Sequence, residues 1–298
     1  MHRKPHGVGR ICAIFALAVL AGCGSASVDN AASRHGIITF APNITETVFA
    51  LGQGDRIVGV TKYCDYPPDV RSKQRVGDYL DPDLEKITLL APELIILAGQ
   101  HAELADLAQH NHIPILHAHM DNLATIQDGI TRIGTALDCE EEARQLWSGI
   151  QSGLTKVREA VKDRPRPRVL VINTRTSHDL NTLFTVGRSS FVSELLEIAG
   201  GVNIFDDEET PYFEASKETV VMREPDAIVE FHAGENLSPE ELQRFTDDWQ
   251  SLPTIPAVAN GRVHMVTESY GLRPGPRVAL IAAQLARILH PEVEIPPL

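Results

Sequence analysis

Cysteine, aromatic side chains, basic charge and the short signatures of catalysis are all scarce in this 298-residue chain. Lys and Arg total 27 against 40 Asp and Glu, a formal net charge of −13, so nucleic acid is excluded as a partner on electrostatic grounds. No Walker A, nucleophile-elbow or zinc-protease motif occurs, which removes the usual sequence grounds for an enzyme. Gly52-Gln53-Gly54 begins like a dinucleotide fingerprint, but Ile57 stands where the third glycine belongs, and the segment follows a helical pattern instead of a strand. Aromatic residues make up 5% of the chain and only five are tyrosines, so the positions of those five carry information. Core-forming residues are present in ordinary measure. With 43% hydrophobic and 22% charged residues the body is folded, and its length suits one large α/β domain or two lobes.

The N-terminus differs from all that follows. His2, Arg3, Lys4 and Arg10 form a basic leader ahead of the unbroken apolar run Ile11 to Leu20, which is the pattern of an export signal. The apolar stretch through Gly22 is about 12 residues, whereas a bilayer span takes roughly 20, so a transmembrane anchor is the weaker reading. Leu20-Ala21-Gly22-Cys23 resembles the bacterial lipobox, whose cysteine is acylated and becomes the new N-terminus. More than one acyl chain on Cys23 would hold the protein durably to a membrane. Residues 24–35, rich in Ser, Ala, Asp and Asn, read as a flexible tether. Without Arg3, Lys4 and Arg10 the basic count falls to 24 against 40 acidic residues, a formal net of −16. Cys12 leaves with the leader, so of the four cysteines only Cys64 and Cys139 remain free to pair; export permits that bridge, but spacing does not establish it.

From Ile37 onward short apolar runs alternate with helical patterns, the signature of an α/β fold with mainly parallel strands. Strands are expected at 37–40, 57–60, 94–97, 115–118, 169–172, 227–231 and 263–266. Helices are expected at 45–51, 83–90 and 122–137. A longer helix, 140–161, carries Leu146, Ile150, Leu154, Val157 and Val161 as a stripe and stops at Pro165 and Pro167, which suits a rigid connector between two halves. Those halves echo each other: Glu85 and Glu218 each stand seven residues before a proline that opens a buried strand, and Glu46 and Glu194 each stand six residues before a glycine. The expected division is therefore leader 1–23, tether 24–35, first lobe 36–138, connecting helix 139–164 and second lobe 165–298.

Tyr63, Tyr66, Tyr79, Tyr212 and Tyr270 all fall outside the expected helices and strands, beside Pro, Asp or Gly. Loops at strand ends are where α/β proteins place ligand contacts, and tyrosine offers a broad apolar face with a polar tip. Arg175 and Arg188 are cationic candidates for an anionic ligand, though either could be a solubilising surface charge. His110, His112, His117 and His119 raise a zinc reading, but no carboxylate or cysteine completes a recognised ligand spacing.

These residues together resemble the cobalamin and ferric-siderophore substrate-binding proteins of ABC importers, over about His35 to Leu289. The segments that carry the resemblance are Ile37-Ile38-Thr39-Phe40-Ala41-Pro42-Asn43, Gly59-Val60-Thr61-Lys62-Tyr63-Cys64-Asp65-Tyr66-Pro67-Pro68, Asp83-Leu84-Glu85, Leu195 to Gly201, and Arg273-Pro274-Gly275-Pro276-Arg277. The resemblance implies two Rossmann-like lobes joined by a single long helix, with the ligand in the cleft between them. It places Tyr63, Tyr79, Tyr212 and Arg273 at the cleft and makes Glu85 and Glu218 the residues that dock on the permease; Tyr66 and Tyr270 as loop tyrosines, Arg175 as a cation, and Asn43 are further ligand candidates. Tyr79 and Tyr212 stand where the cobalamin-binding protein has tryptophans, Asn173 where it has phenylalanine and Ser269 where it has aspartate. The expected function is capture of a metal chelate and its delivery to the permease by a monomeric, lipid-anchored protein with no enzymatic activity and no cofactor of its own. A haem, zinc or manganese receptor of the same class is the alternative; an exported hydrolase or oxidoreductase is the distant one.

Overall fold

The aliphatic runs Ile37–Thr39 (β1) and Leu94–Leu97 (β4) bury side chains on both faces, as strands inside a parallel sheet must. A computed structural model describes residues 36–298, so the expected leader, Cys23 and the tether lie outside the described residues. With Ile57–Val60 (β2), Gln74–Arg75 (β3) and Ile115–His117 (β5), these strands form an all-parallel sheet in the order β3-β2-β1-β4-β5. Its helices are Pro42–Ala50 (α1), Leu84–Leu90 (α2), Ala102–His110 (α3) and Leu123–Ala136 (α4). The first begins three residues earlier than expected, because Pro42 at its first position has no amide hydrogen to leave unpaired and its ring pre-sets the helical φ. Asn122 starts α4 with a capping box.

Glu140–Val161 (α5) follows as one 22-residue helix with three glutamates in its first turn, where they complement the helix dipole. It does not cross open space. Ile150, Leu154, Val157 and Val161 are buried, and α5 lies along α4 and along Val278–Leu289 (α10) at the far end of the chain. One continuous core accordingly runs from Ile44 and Ile130 through Leu154 to Leu196 and Leu285, so the two halves share apolar packing. The described residues belong to one compact unit.

The second sheet contains Arg168–Arg175 (β6), Leu183–Val186 (β7), Val202–Asn203 (β8), Tyr212–Ala215 (β9), Ala227–Phe231 (β10) and Val263–Val266 (β11). Its order is β11-β10-β6-β7-β9, with β8 beside β6, and β7 runs antiparallel to both neighbours. Tyr212 therefore opens a strand, contrary to the expectation that every tyrosine sits in a loop. Helices Phe191–Ile198 (α6), Lys217–Arg223 (α7), Pro239–Asp248 (α8) and Pro256–Ala259 (α9) complete the fold.

The echo between the halves is structural in α2 and α7. Asp83 and Ser216 each cap the helix by accepting a backbone N–H three residues on, at 2.9 and 3.1 Å. Ile87 and Val220 point into the core, and Ala91 and Glu224 end the helices in the left-handed conformation with φ of 43° and 46°. Cys64 and Cys139 are both buried and both free.

Candidate ligand cleft

The C-terminal ends of parallel strands are where an α/β sheet exposes its loops to a ligand. Tyr63 and Tyr66 follow β2, Tyr79 follows β3, and Tyr270 and Arg273 follow β11. Tyr63 is 61% exposed, a large commitment of aromatic surface to solvent, with the Lys62 ammonium 4.9 Å from its ring centroid. The backbone N–H of Lys62 donates to Gly77 O at 2.9 Å and its ammonium pairs with Asp78, so the Tyr63 and Tyr79 loops are tied together. Tyr79 donates its hydroxyl to Gln100 O at 2.5 Å and meets the His101 ring edge-on at 5.3 Å. His101 Nδ1 accepts from Leu104 N–H, so Nε2 holds the proton and donates to Tyr79 O at 2.8 Å. These contacts hold the Tyr79 side chain in place while it stays 40% exposed.

The two lobes are locked to each other at this level by reciprocal carboxylates. Glu46, on α1 and only 3% exposed, accepts from Arg277 Nε and Nη2 at 2.8 and 2.5 Å and from Arg273 Nη1 at 3.1 Å. Glu194, on α6, accepts at 2.6 Å from Leu123 N–H at the start of α4. The matched glutamates thus each reach into the opposite lobe. Arg273 also pairs with Asp65 and donates to Tyr63 O at 3.3 Å. Burial pushes the Asp65 carboxyl upward, but the hydrogen bond and charge of Arg273 outweigh it and hold the group below its ordinary value. The Arg277 guanidinium lies 4.2 Å from the Tyr66 ring centroid and 5.0 Å from that of Tyr270, joining one tyrosine of each lobe. Asn43 Nδ2 donates to Pro274 O at 3.0 Å, and Gly275 packs so closely on Asn43 that an added Cβ would stand 3.2 Å from the Asn43 Cβ.

Tyr212 stands on the second lobe near Asp121, which follows β5 in the first. Burial, reinforced by the Asp121 charge, pushes its hydroxyl up to about 12, so it remains a neutral donor at any physiological pH. Phe191 N–H donates to Asp121 O at 3.0 Å, closing the same seam.

Several expected residues are committed elsewhere. Arg175 is not available to a ligand: its guanidinium is fully buried and donates to Glu230 at 2.7 Å, Asp248 at 2.8 Å and Phe245 O at 2.8 Å. Glu230 interrupts the apolar strand β10 at zero exposure, and it also accepts from Trp249 Nε1 at 2.9 Å and bonds His232 at 3.0 Å. An arginine there neutralises a carboxylate that the core could not hold alone. Arg273 and Asn43 likewise spend their donors across the lobe seam. Arg188 pairs at the surface with Glu209. The histidines do not converge: His110 bonds Asp106 O in its own helix, while His117 bonds Gly99 O at 2.8 Å. Among the described residues no three His, Cys, Asp or Glu side chains are placed to share a metal ion. A solvent-open recess of about 380 Å³ between Arg166, Arg188, Glu197 and Asp206 is lined by opposed charges and no aromatic ring.

Sequence reasoning missed Arg277, Asp65 and the seam role of Glu46 and Glu194, although the matched Glu-to-Gly spacing of the last two was visible.

Two α/β lobes joined through one long helix, with tyrosines on strand-end loops beside the seam, define a two-lobed ligand-binding protein. The chain belongs to the periplasmic binding protein family, which matches residues 37–270. It is similar to the vitamin B12-binding protein of Pectobacterium atrosepticum, 26% identical over 264 residues that cover 88% of this chain and 90% of the relative. It is 27% identical over 261 residues to an ABC transporter substrate-binding lipoprotein of Bacillus subtilis, covering 86% of this chain and 80% of that one. Among solved structures, the periplasmic vitamin B12-binding protein of Vibrio cholerae matches with a TM-score of 0.70 and 28% identity, over 86% of this chain and 96% of the other. Among the described residues no helix is long and apolar enough to cross a membrane.

Proposed function

We propose that this protein is the substrate-binding lipoprotein of an ABC importer and that it captures a metal-chelate nutrient, a cobalamin or a ferric siderophore, for delivery to the permease. The observation that carries the reading is the exposed aromatic surface of Tyr63, Tyr79 and Tyr212 on loops and edges beside the lobe seam, in a chain related over most of its length to vitamin B12-binding proteins. Tyrosine faces suit a broad, partly apolar chelate, and their hydroxyls suit its polar edge. The role we infer is binding without catalysis, which the match to the periplasmic binding protein family supports. Cys23 would carry the lipid that keeps the protein at the cell envelope. Glu85 and Glu218 are exposed, equivalent in the two lobes, and outside any ion pair among the described residues, which suits docking on basic residues of the permease.

Calorimetry and intrinsic fluorescence against cyanocobalamin, haem and several ferric siderophores test the cargo. Tyr63→Ala, Tyr79→Ala and Tyr212→Ala should each weaken binding of whichever compound binds by about 1 kcal/mol, the worth of an aromatic face beyond its buried area. Wild-type affinity in all three variants would place the site elsewhere. Haem bound in preference to both other classes would replace the proposed cargo with the haem alternative. Fatty-acid labelling lost in Cys23→Ser, and uptake lost in Glu85→Ala with Glu218→Ala at unchanged cargo affinity, test the anchor and the docking pair.

A further inference from the structure

Among the large hydrophobic side chains of the described residues, only Leu80, Leu89 and Met222 are more than three-quarters exposed, and Leu80 is the neighbour of Tyr79 at the cleft rim. Leu89 and Met222 lie far along the chain from each other, yet they are 77% and 76% exposed and occupy the same place in the two halves. Each stands four residues after its lobe's glutamate, Leu89 after Glu85 on α2 and Met222 after Glu218 on α7, so acid and apolar side chain are neighbours on one helix face. The buried Ile87 and Val220 fix the rotation of the two helices, which leaves that face turned to solvent in both lobes.

A single exposed leucine carries no meaning. Here the rest of the two helices differs: Leu84 faces Lys217 in the comparison, Lys86 faces Thr219, Thr88 faces Val221, and Leu90 faces Arg223. Only the buried aliphatic, the exposed acid and the exposed large hydrophobic side chain recur. The buried residue is explained by the core; among the described residues the two glutamates form no ion pair, and the two apolar side chains are more than three-quarters exposed.

We propose that Leu89 and Met222 complete two equivalent docking patches, each a carboxylate and an apolar side chain one helical turn apart, which seat on a permease face that repeats a basic side chain beside an apolar pocket. This rests on the reading of Glu85 and Glu218 as docking residues and adds a second, uncharged contact to each. The two contacts divide the labour. The carboxylates steer the encounter over a distance and weaken with salt, while the apolar side chains act at contact and are insensitive to screening.

The test compares full-length wild type, the single variants Leu89→Gln and Met222→Gln, the double variant Leu89→Gln with Met222→Gln, and Glu85→Gln with Glu218→Gln, binding to the membrane subunits of its importer in lipid nanodiscs at several salt concentrations. Glutamine keeps helix propensity and approximate size, and unchanged thermal unfolding verifies the fold. The apolar double variant is expected to bind on the order of tenfold more weakly or worse, at an unaltered salt slope, as loss of desolvated hydrophobic contact requires. The glutamate double variant is expected to lose most of the salt slope. Wild-type affinity in the apolar variant alone would overturn the apolar contact and leave the docking glutamates standing. Wild-type affinity in both variants would overturn the whole surface, and a loss from Leu89→Gln but none from Met222→Gln would overturn its equivalence in the two lobes.

Discussion

Replacing Glu46 by Ala should be among the most damaging single changes outside the apolar core, even though the residue is polar and sits in a helix. Its carboxylate accepts three hydrogen bonds from two guanidinia that arrive from 227 and 231 residues away, and it is 3% exposed. The arginine side chains are 15% and 13% exposed, so water can relieve only a little of the charge left behind. Breaking a buried pair from one side costs about 3–5 kcal/mol; because the arginines retain the Tyr66 and Tyr270 faces and the Asp65 carboxylate, about 3 kcal/mol is expected here. Asp65→Asn provides the contrast, since that partner of Arg273 is half-exposed and a pair of that kind contributes at most about 1 kcal/mol. Equilibrium urea unfolding of the purified variants measures both, with the slope checked for loss of a single transition. A Glu46→Ala cost below about 1 kcal/mol, or one no larger than that of Asp65→Asn, would refute the seam as a source of stability.

Arg175→Met should cost about 3–5 kcal/mol by leaving Glu230 unneutralised at zero exposure, and a cost under 1 kcal/mol by urea unfolding would show that the network is not held as described. His232 links stability to pH: burial would lower its proton affinity, but hydrogen bonds and charge from Glu230, then Glu235, raise it above the usual histidine value. Its contribution is therefore fully present below about pH 6.5 and lost as pH rises through the raised value, so His232→Gln should flatten the stability curve above pH 6.5, and an unchanged curve would exclude this linkage. Ala91→Gly and Glu224→Gly should each stabilise the protein by about 0.5–1 kcal/mol, because both residues hold left-handed backbone that glycine adopts without strain; lower stability in both would contradict that assignment.

The parallel strands were legible because buried strands are continuous aliphatic runs, and 57–60, 94–97, 227–231 and 263–266 stand where the pattern put them. β7 and β9 were not. Both are four-residue strands in a stretch of Thr, Ser, Asn, Asp and Gly; β7 is buried between its neighbours but too short to stand out, and β9 lies at the sheet edge, where antiparallel pairing tolerates its exposed residues. That is also why Tyr212 read as a loop residue. The tyrosines could be singled out because they are few, and Glu85 with Glu218 because proline marks their register. What no spacing reveals is which charge an arginine meets. Arg175 is 55 residues from Glu230, and Arg277 is 231 from Glu46, so the sequence leaves a ligand contact and a structural pair looking the same.

The reciprocal glutamates bear on how cargo leaves. Spreading the jaws far enough to drop a bulky passenger means parting Glu46 from Arg277 and Glu194 from the first turn of α4, against the splint of a 22-residue helix packed on both sides. Thermal motion alone would do this rarely, so the mechanical work falls to whatever grips the outside of the two lobes. While those bonds hold, the spacing between the outer faces of the two lobes is held with them. Vacant copies would then compete with filled ones for the same berth, and the traffic through the importer would depend on the ratio of the two as much as on the tightness with which the passenger is held.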